Sequence, residues 1–384
     1  MLWQSIRYGI ATIASRRLFM VGMIFVPILC LLFFVTLMTK GLPTEEPTAI
    51  VDLDNSAMSR AMVRNMDATQ LVHVTESCES YHDAMAAVRQ GRVFGFYMIP
   101  RNFQEDAIAG RKPTVSLYMN MSYFVPGTFS YKGYRTVAVQ SAMSLLSSTA
   151  VDKGIPARMV ASVIRPMAID INPVHNPWTN YSLYLTPSFV AALFELMIVL
   201  LTIVALTYEI KHGYSRQWLA DNGGSVVLAV TGKLLPMTVI FTLVGWCMLG
   251  IMYGFAGFPL NCSPLVMYGL IPIFVLACQA FGLFWCCVMP SPRFALSMGA
   301  LFSVLAFSST GFSFPVQNMY GFISIFQWMM PVRYYFLIHS QQALNGFDLY
   351  YSRLWFVILI LYTFIPALLL WRFKRACIKQ IYVQ

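Results

Sequence analysis

Leu18-Phe-Met-Val-Gly-Met-Ile-Phe-Val-Pro-Ile-Leu-Cys-Leu-Leu-Phe-Phe-Val-Thr-Leu-Met38 carries no charged residue. A helix rises ~1.5 Å per residue, so ~20 apolar residues cross the ~30 Å hydrocarbon core of a bilayer. A secretory signal would have a shorter apolar core and a small-residue cleavage site. Here the run passes into Met38-Thr-Lys-Gly-Leu-Pro43, so residues 18–38 are expected to remain as a membrane span. The whole chain agrees: of 384 residues, 58% are hydrophobic and 11% charged, against ~25% charged in ordinary soluble domains.

Upstream, Leu2, Trp3, Ile6, Ile10 and Ile13 recur at helical spacing beside Arg7, Arg16 and Arg17. Residues 1–17 are therefore expected to form an amphipathic helix on the cytoplasmic face of the membrane. Arginines before the span, against Lys40, Glu45 and Glu46 after it, place the N-terminus inside. Downstream, residues 39–186 have the composition of a soluble domain. Expected strands at 49–54, 71–74, 93–99, 115–119 and 167–171 alternate with expected helices at 56–66, 80–90, 102–109 and 128–151. That alternation predicts an α/β domain, on the extracytoplasmic side because the preceding span runs outward.

Residues 187–371 return to the membrane, with expected spans at 187–208, 233–255, 265–288, 294–312 and 354–371. Between the last two, residues 313–345 are apolar but broken by Pro315, Gly321 and Pro331, which predicts a re-entrant hairpin, tolerated where protein covers the broken backbone. Lys211, Arg216 and Arg293 fall on expected inner loops; Arg372, Lys374, Arg375 and Lys379 fall on a cytoplasmic tail, residues 372–384. The fold class read from these patterns is an α-helical polytopic membrane protein with six transmembrane helices and an inserted extracytoplasmic α/β domain.

Several function classes recede. The formal net charge of +10 comes without a compact basic run or nucleic-acid motif, and fits Lys and Arg anchoring loops. Eight cysteines show no CxxC pair, and His73, His82, His175, His212 and His339 show no ligand spacing, so no metal or bound cofactor is signalled. Asp52 and Asp54 share a strand face, but capping the following helix explains them more simply than a catalytic pair. A phosphate-binding loop is missing: Gly232-Lys233 is followed by leucine, and Val227 stands where such a loop needs glycine.

Two stretches carry more. One is Glu209-Ile-Lys-His-Gly213-Tyr-Ser-Arg216-Gln-Trp218-Leu219, on the inner loop 209–224, followed by Gly232-Lys-Leu-Leu-Pro236. The other is Thr310-Gly311-Phe-Ser-Phe314-Pro315-Val-Gln-Asn318-Met319, then Met330-Pro331-Val-Arg333-Tyr334-Tyr335, then Gly346. In order and in place within the topology these resemble the ABC-2 type transporter permease family. Asp52-Leu-Asp-Asn-Ser56 resembles members with a large first extracytoplasmic domain, of a multidrug-efflux type. Tyr214, Ser215 and Tyr320 depart from the usual residues at their positions.

The resemblance implies an exporter in the bacterial inner membrane, built from two permease chains (homodimer or heterodimer) and a separate ABC ATPase that uses ATP and magnesium. It also suggests a periplasmic adaptor and contact with membrane lipids, and amphipathic, drug-like or lipid-like cargo. In this reading Glu209, Gly213, Arg216, Trp218 and Leu219 form the coupling segment. Trp218 and Leu219 wedge into the ATPase while Glu209 and Arg216 set register.

Glu195 lies ~4 Å from the centre of its span by helical rise, where a carboxylate costs roughly 3 kcal/mol on insertion scales. It is read either as a pathway residue or as a carboxyl bonded to a neighbouring helix. Arg333, expected near the outer interface, is read as snorkelling or as a pathway contact. Gly311, Phe314, Pro315, Asn318, Met319, Pro331 and Tyr334 mark the re-entrant motif. The competing function is a membrane-anchored binding or docking protein that acts through its outer domain without transport.

Overall fold

The computed structural model describes residues 2–39, 41, 44–111, 113–122, 127–128, 130–140, 176 and 180–379. The chain divides into two compact units, Met1–Thr39 with Val174–Gln384, and Lys40–Pro173.

The first unit opens with α1 (Leu2–Ala14) and α2 (Arg17–Leu37). The face of α1 that packs on the bundle is mainly its small-residue face. Leu2, Trp3 and Ile10 are exposed, and Ser5, Gly9 and Ile13 are buried. Small residues win because the partner backbone comes close. A Cβ on Gly9 would lie 2.7 Å from the Gly232 carbonyl, one on Gly232 would lie 1.9 Å from Ser5 Oγ, and Ser5 Oγ donates to the Leu228 carbonyl at 3.0 Å. The greasy stripe of α1 is left for lipid.

In the second unit the elements are β1 (Glu46–Asp52), α3 (Ala57–Asp67), β2 (Val72–Ser77), α4 (Tyr81–Arg89), β3 (Gly95–Ile99), α5 (Phe103–Ile108) and β4 (Ser116–Met119). The sheet order is β2-β1-β3-β4, with β1 parallel to both neighbours and β4 antiparallel to β3. Successive strand residues point to opposite faces. Ile50, Tyr97 and Ile99 pack with Met62 and Met66 of α3, while Ala49, Val51 and Phe96 pack with Ala84 and Ala87 of α4. Helices on both faces explain why β1 is buried on both sides, as parallel strands are.

Asp52 fixes the turn that leads into α3 and does not itself cap that helix. Its Oδ1 accepts from the amides of Asp54 and Asn55, each at 3.0 Å, and its Oδ2 from Ser59 Oγ at 2.7 Å. Ser56 caps α3 by accepting from the Ser59 amide. Helical residues 130–140 close one face through Val137, and Tyr134 stacks on Tyr97 at 5.3 Å. The remainder of the expected helix 128–151 beyond residue 140, and the expected strand 167–171, lie outside the described residues.

The first unit resumes with α6 (Tyr181–Lys211), α7 (Ser215–Asp221), α8 (Val226–Leu249, carried on by a π-helical turn to Phe255), α9 (Pro264–Val288) and α10 (Pro292–Ser309). It ends with α11 (Gly321–Phe326), α12 (Pro331–His339), α13 (Leu349–Tyr362) and α14 (Leu370–Lys379). Among the described residues, 6 helices are long and apolar enough to cross a membrane, counting Leu349–Lys379 as one. Helix α6 is apolar all round and packs against α2, α9, α10 and α12, as expected of a helix at the centre of a bundle.

Boundaries shift where capping overrides composition. Helix α6 starts at Tyr181 because Asn180 accepts from the Ser182 amide. Helix α8 starts at Val226, capped by Ser225, so Lys233 lies inside the helix and does not open it. The last span breaks after Tyr362, ahead of Pro366. Its basic end is then a helix, α14, whose Phe373 and Cys377 are buried.

Candidate functional site

Two polar clusters interrupt the apolar bundle. The first gathers at the junction of α1, α6, α7, α8 and α14. Helix α6 ends in a Schellman cap: the Tyr214 amide donates to the Glu209 carbonyl at 2.9 Å, and the Gly213 amide to the Ile210 carbonyl at 3.4 Å. Gly213 has φ +78°, a left-handed conformation that favours glycine. The Glu209-to-Gly213 spacing is thus the geometry of a helix end. It fixes the acid in the last turn while the chain reverses into α7.

Glu209 and Lys233 are each 1% exposed and form an ion pair. Tyr8 Oη also donates to Glu209 Oε1, at 3.1 Å. Burial, and the Glu209 carboxylate beside it, raise the pKa of the Tyr8 hydroxyl, so it remains a donor. The Lys233 ammonium lies 5.0 Å from the Trp218 ring centroid and 5.8 Å from that of Tyr8, which adds cation–π attraction inside a poorly hydrated pocket. Glu209 Oε2 and Trp218 Nε1 have no hydrogen-bond partner among the described residues.

This corrects the expected coupling segment. Trp218 is 3% and Leu219 5% exposed, already packed into the chain's own core, so neither is free to wedge into another protein. Glu209 is spent on Lys233. Arg216 donates from Nε to the Ile378 carbonyl at 2.5 Å, and Ser215 Oγ to the Cys377 carbonyl at 2.7 Å, so both tie α7 to α14. What α7 exposes is Tyr214, Arg216, Gln217, Ala220 and Asp221. A cavity of about 350 Å³ lined by Gln4, Ser5, Tyr8, Trp218, Asp221 and Asn222 opens between α7 and α1.

The second cluster satisfies the broken backbone between α10 and α12. Glu195, fully buried, accepts from the Val332 amide at 2.9 Å through Oε2. Pro331 is the first residue of α12 and lacks an amide hydrogen, so the Val332 amide is the first free donor of that helix. An acceptor oxygen placed there satisfies one of the unbonded amides at the start of α12. Glu195 therefore serves the neighbouring helix and is enclosed by the chain's own bundle.

Arg333 likewise serves a neighbouring helix. It is 8% exposed and donates from Nη1 to the Thr310 carbonyl at 2.6 Å, capping the C-terminus of α10. Its guanidinium lies 5.0 Å from the Trp328 ring centroid. Gly311 has φ +98°, and a Cβ there would come 2.7 Å from Val316 Cγ2 and 3.2 Å from Arg333 Nη1, so glycine is required twice over.

Tyrosines complete the set. Tyr184 donates to the Phe312 carbonyl, Tyr334 to the Trp328 carbonyl at 2.8 Å, and Tyr362 to the Met329 carbonyl at 2.7 Å. Side chains thus supply the bonds that water cannot supply at depth in a bilayer. Phe314, Pro315 and Asn318 are exposed, and Met319 is half-buried around a short 3₁₀ turn, Val316–Asn318. These four make no comparable buried contact.

The sequence did not single out Tyr8, Tyr184, Tyr362 or the pairing of Lys233. A signal existed for Lys233: opposite charges on two apolar helices, each within about two turns of the loop joining them. Beside this cluster, Phe281, Phe284, Trp328, Met329, Tyr334 and Tyr362 line an apolar cavity of about 380 Å³ between α9, α12 and α13.

A sequence model described as ABC-2 family transporter protein matches residues 17–371. Over 188 residues the chain is 23% identical to the probable multidrug ABC transporter permease YbhR of Escherichia coli K12, covering 48% of this chain and 51% of that protein. The same figures hold for its counterpart in Escherichia coli O157:H7. The match spans about half the length of these curated relatives. With a family match over nearly the whole sequence, and a helical bundle carrying an inserted α/β unit, the chain belongs to the ABC-2 family of transporter proteins and is a multi-pass membrane protein.

Proposed function

We propose that this chain is the permease subunit of an exporter that moves amphipathic small molecules, drug-like or lipid-like, out of the bacterial cytoplasm or inner membrane. ATP and magnesium are used by a separate ABC ATPase, since the chain carries no phosphate-binding loop of its own. The observation that carries the cargo class is the cavity lined by Phe281, Phe284, Trp328, Met329, Tyr334 and Tyr362. Its volume of about 380 Å³ suits a small ligand, and aromatic walls with a few hydroxyl groups suit an amphipathic one. Met329 adds an adaptable surface. A second copy of the chain, or an unlike permease, completes the membrane portion, and the α/β unit faces the periplasm, where an adaptor has access to it.

Coupling follows the corrected geometry. The ATPase contacts the exposed residues Tyr214, Gln217 and Asp221 of α7 and the neighbouring cleft with α1. Buried Trp218 and Leu219 transmit the displacement to Lys233, Glu209 and α14. Reconstitution of the chain with its ATPase in vesicles, screened across amphipathic cargos, tests the reading. Cargo-stimulated ATP hydrolysis is expected, weakened by Phe284→Ala and by Trp328→Ala. Stimulation by no amphipathic compound, or stimulation indifferent to both substitutions, would refute the cargo assignment.

A further inference from the structure

The last turn of α6, the turn between α1 and α2, and the first turn of α10 enclose a cavity of about 640 Å³. We propose that it binds the phosphodiester headgroup of an anionic phospholipid. Its polar lining is Arg16, Thr207, Tyr208, Lys211, His212 and Arg293, and none of its lining residues is acidic. None of the three permanent cations forms an ion pair among the described residues. Glu209, the carboxylate of that same turn, is consumed by Lys233. Cations gathered without a counterion repel one another, and an anion placed among them removes that repulsion.

The site is also built. The Arg16 guanidinium sits 3.3 Å above the Tyr208 ring, and that ring packs on His212 with centroids 4.0 Å apart. His212 Nδ1 lies 2.9 Å from the Tyr208 carbonyl. Arg16 is therefore held in place before any ligand arrives, which lowers the ordering cost of binding.

Arg293 occupies the second position of α10, where the helix dipole opposes a cation, and the N-cap Ser291 makes no side-chain bond. Arg293 and the uncapped first turn both favour an anion. Arginine matches paired phosphate oxygens in geometry. The remaining wall, Leu18, Val204 and Leu296, continues along α2, α6 and α10, all apolar enough to lie in a membrane. That continuity favours a lipid, whose acyl chains need such a wall, over free phosphate. Basic pockets between membrane helices are known to take such headgroups.

The test is native mass spectrometry of the purified full chain, titrated in detergent with phosphatidylglycerol, phosphatidylcholine or inorganic phosphate. One phosphatidylglycerol retained per chain is expected, with phosphatidylcholine lost and millimolar phosphate unable to displace the lipid. Each cation removed should weaken retention about fivefold, so Lys211→Gln with Arg293→Gln weakens it about twenty-fivefold. Both side chains are exposed, so this variant should keep the parent melting temperature in phosphatidylcholine. Arg7→Gln with Lys379→Gln, outside the cavity, should retain the lipid as the parent does. Equal retention of phosphatidylcholine, displacement by inorganic phosphate, or unchanged retention in the cavity variant would each overturn the proposal.

Discussion

Breaking the Glu209–Lys233 pair is the sharpest test of the bundle's architecture. Both side chains are 1% exposed, so removing either leaves its partner charged and out of water. Such one-sided breaks of buried pairs cost about 3–5 kcal/mol, whereas replacing both partners by groups of similar shape is often close to neutral. Lys233→Met should fall at the upper end. The carboxylate then keeps only Tyr8, at 3.1 Å, while Oε2 already lacks a partner. Glu209→Gln should fall at the lower end, because its amide oxygen still accepts from Tyr8 and Lys233.

At roughly 2–4 °C per kcal/mol for a fold of this size, each single variant should lower the melting temperature by about 6–20 °C. The double variant should recover at least ~3 kcal/mol relative to the sum of the two. The assay is thermal unfolding in nanodiscs followed by tryptophan fluorescence, with Trp218 a reporter 5.0 Å from the ammonium. Additive losses, or a Lys233→Met variant within ~1 kcal/mol of the parent, would refute the claim that the two charges exist for each other.

Gly232→Ala should destabilise by about 1–3 kcal/mol through overlap with Ser5, and Ser5→Gly should restore part of the loss in the same melting assay. Glu195→Gln keeps an acceptor for the Val332 amide and should preserve both melting temperature and transport. Glu195→Leu orphans that amide and should cost about 1–3 kcal/mol; loss of transport in a stable Gln variant would place Glu195 in the pathway. Arg333→Met should cost about 1.5–3 kcal/mol through the uncapped Thr310 carbonyl, read as faster hydrogen exchange at the end of α10. Burial raises the pKa of Glu46, at the start of β1. Its folded-state stability is fully present below the ordinary glutamate range and lost as pH rises through the elevated value. Glu46→Gln should therefore slow hydrogen exchange of β1 at neutral pH and leave it unchanged in acid.

The spans and the α/β unit were legible because they rest on one-dimensional signals. Apolar runs of bilayer length announce α2, α6, α8, α9 and α10, and strand–helix alternation announces β1 through α4. The site was legible as motif but not as mechanism. Glu209, Gly213, Pro331 and Arg333 stand out in the sequence, yet their roles depend on which backbone ends they meet, and that is a tertiary fact. Trp218 and Leu219 look like surface anchors on a short charged loop. Nothing local says that α6, α8 and α14 pack against this helix, α7. The amphipathic pattern of α1 marked the stripe that stays exposed, Leu2, Trp3 and Ile10, but not that Ser5 and Gly9 would form the packing face.

The two polar clusters follow one physical rule. Buried helix ends leave amides and carbonyls unbonded, and in a bilayer only protein can satisfy them. Glu195 of α6 holds the start of α12, Arg333 of α12 holds the end of α10, and at the other junction α7 hangs on the carbonyls of α14. Each bond joins a helix end to a neighbouring element, so one of these ends cannot move far without breaking a bond that lacks a replacement. A displacement applied at α7 is therefore expected to travel as rigid motion of linked helices rather than to dissipate in loops. Glycine inserted at Ala220, on the exposed face of α7, offers the check. It softens the short helix by about 1 kcal/mol without touching the buried pair, and should lower cargo-stimulated ATP hydrolysis while leaving the melting temperature of the Glu209–Lys233 core close to that of the parent. Full stimulation in that variant would mean that force does not enter through α7.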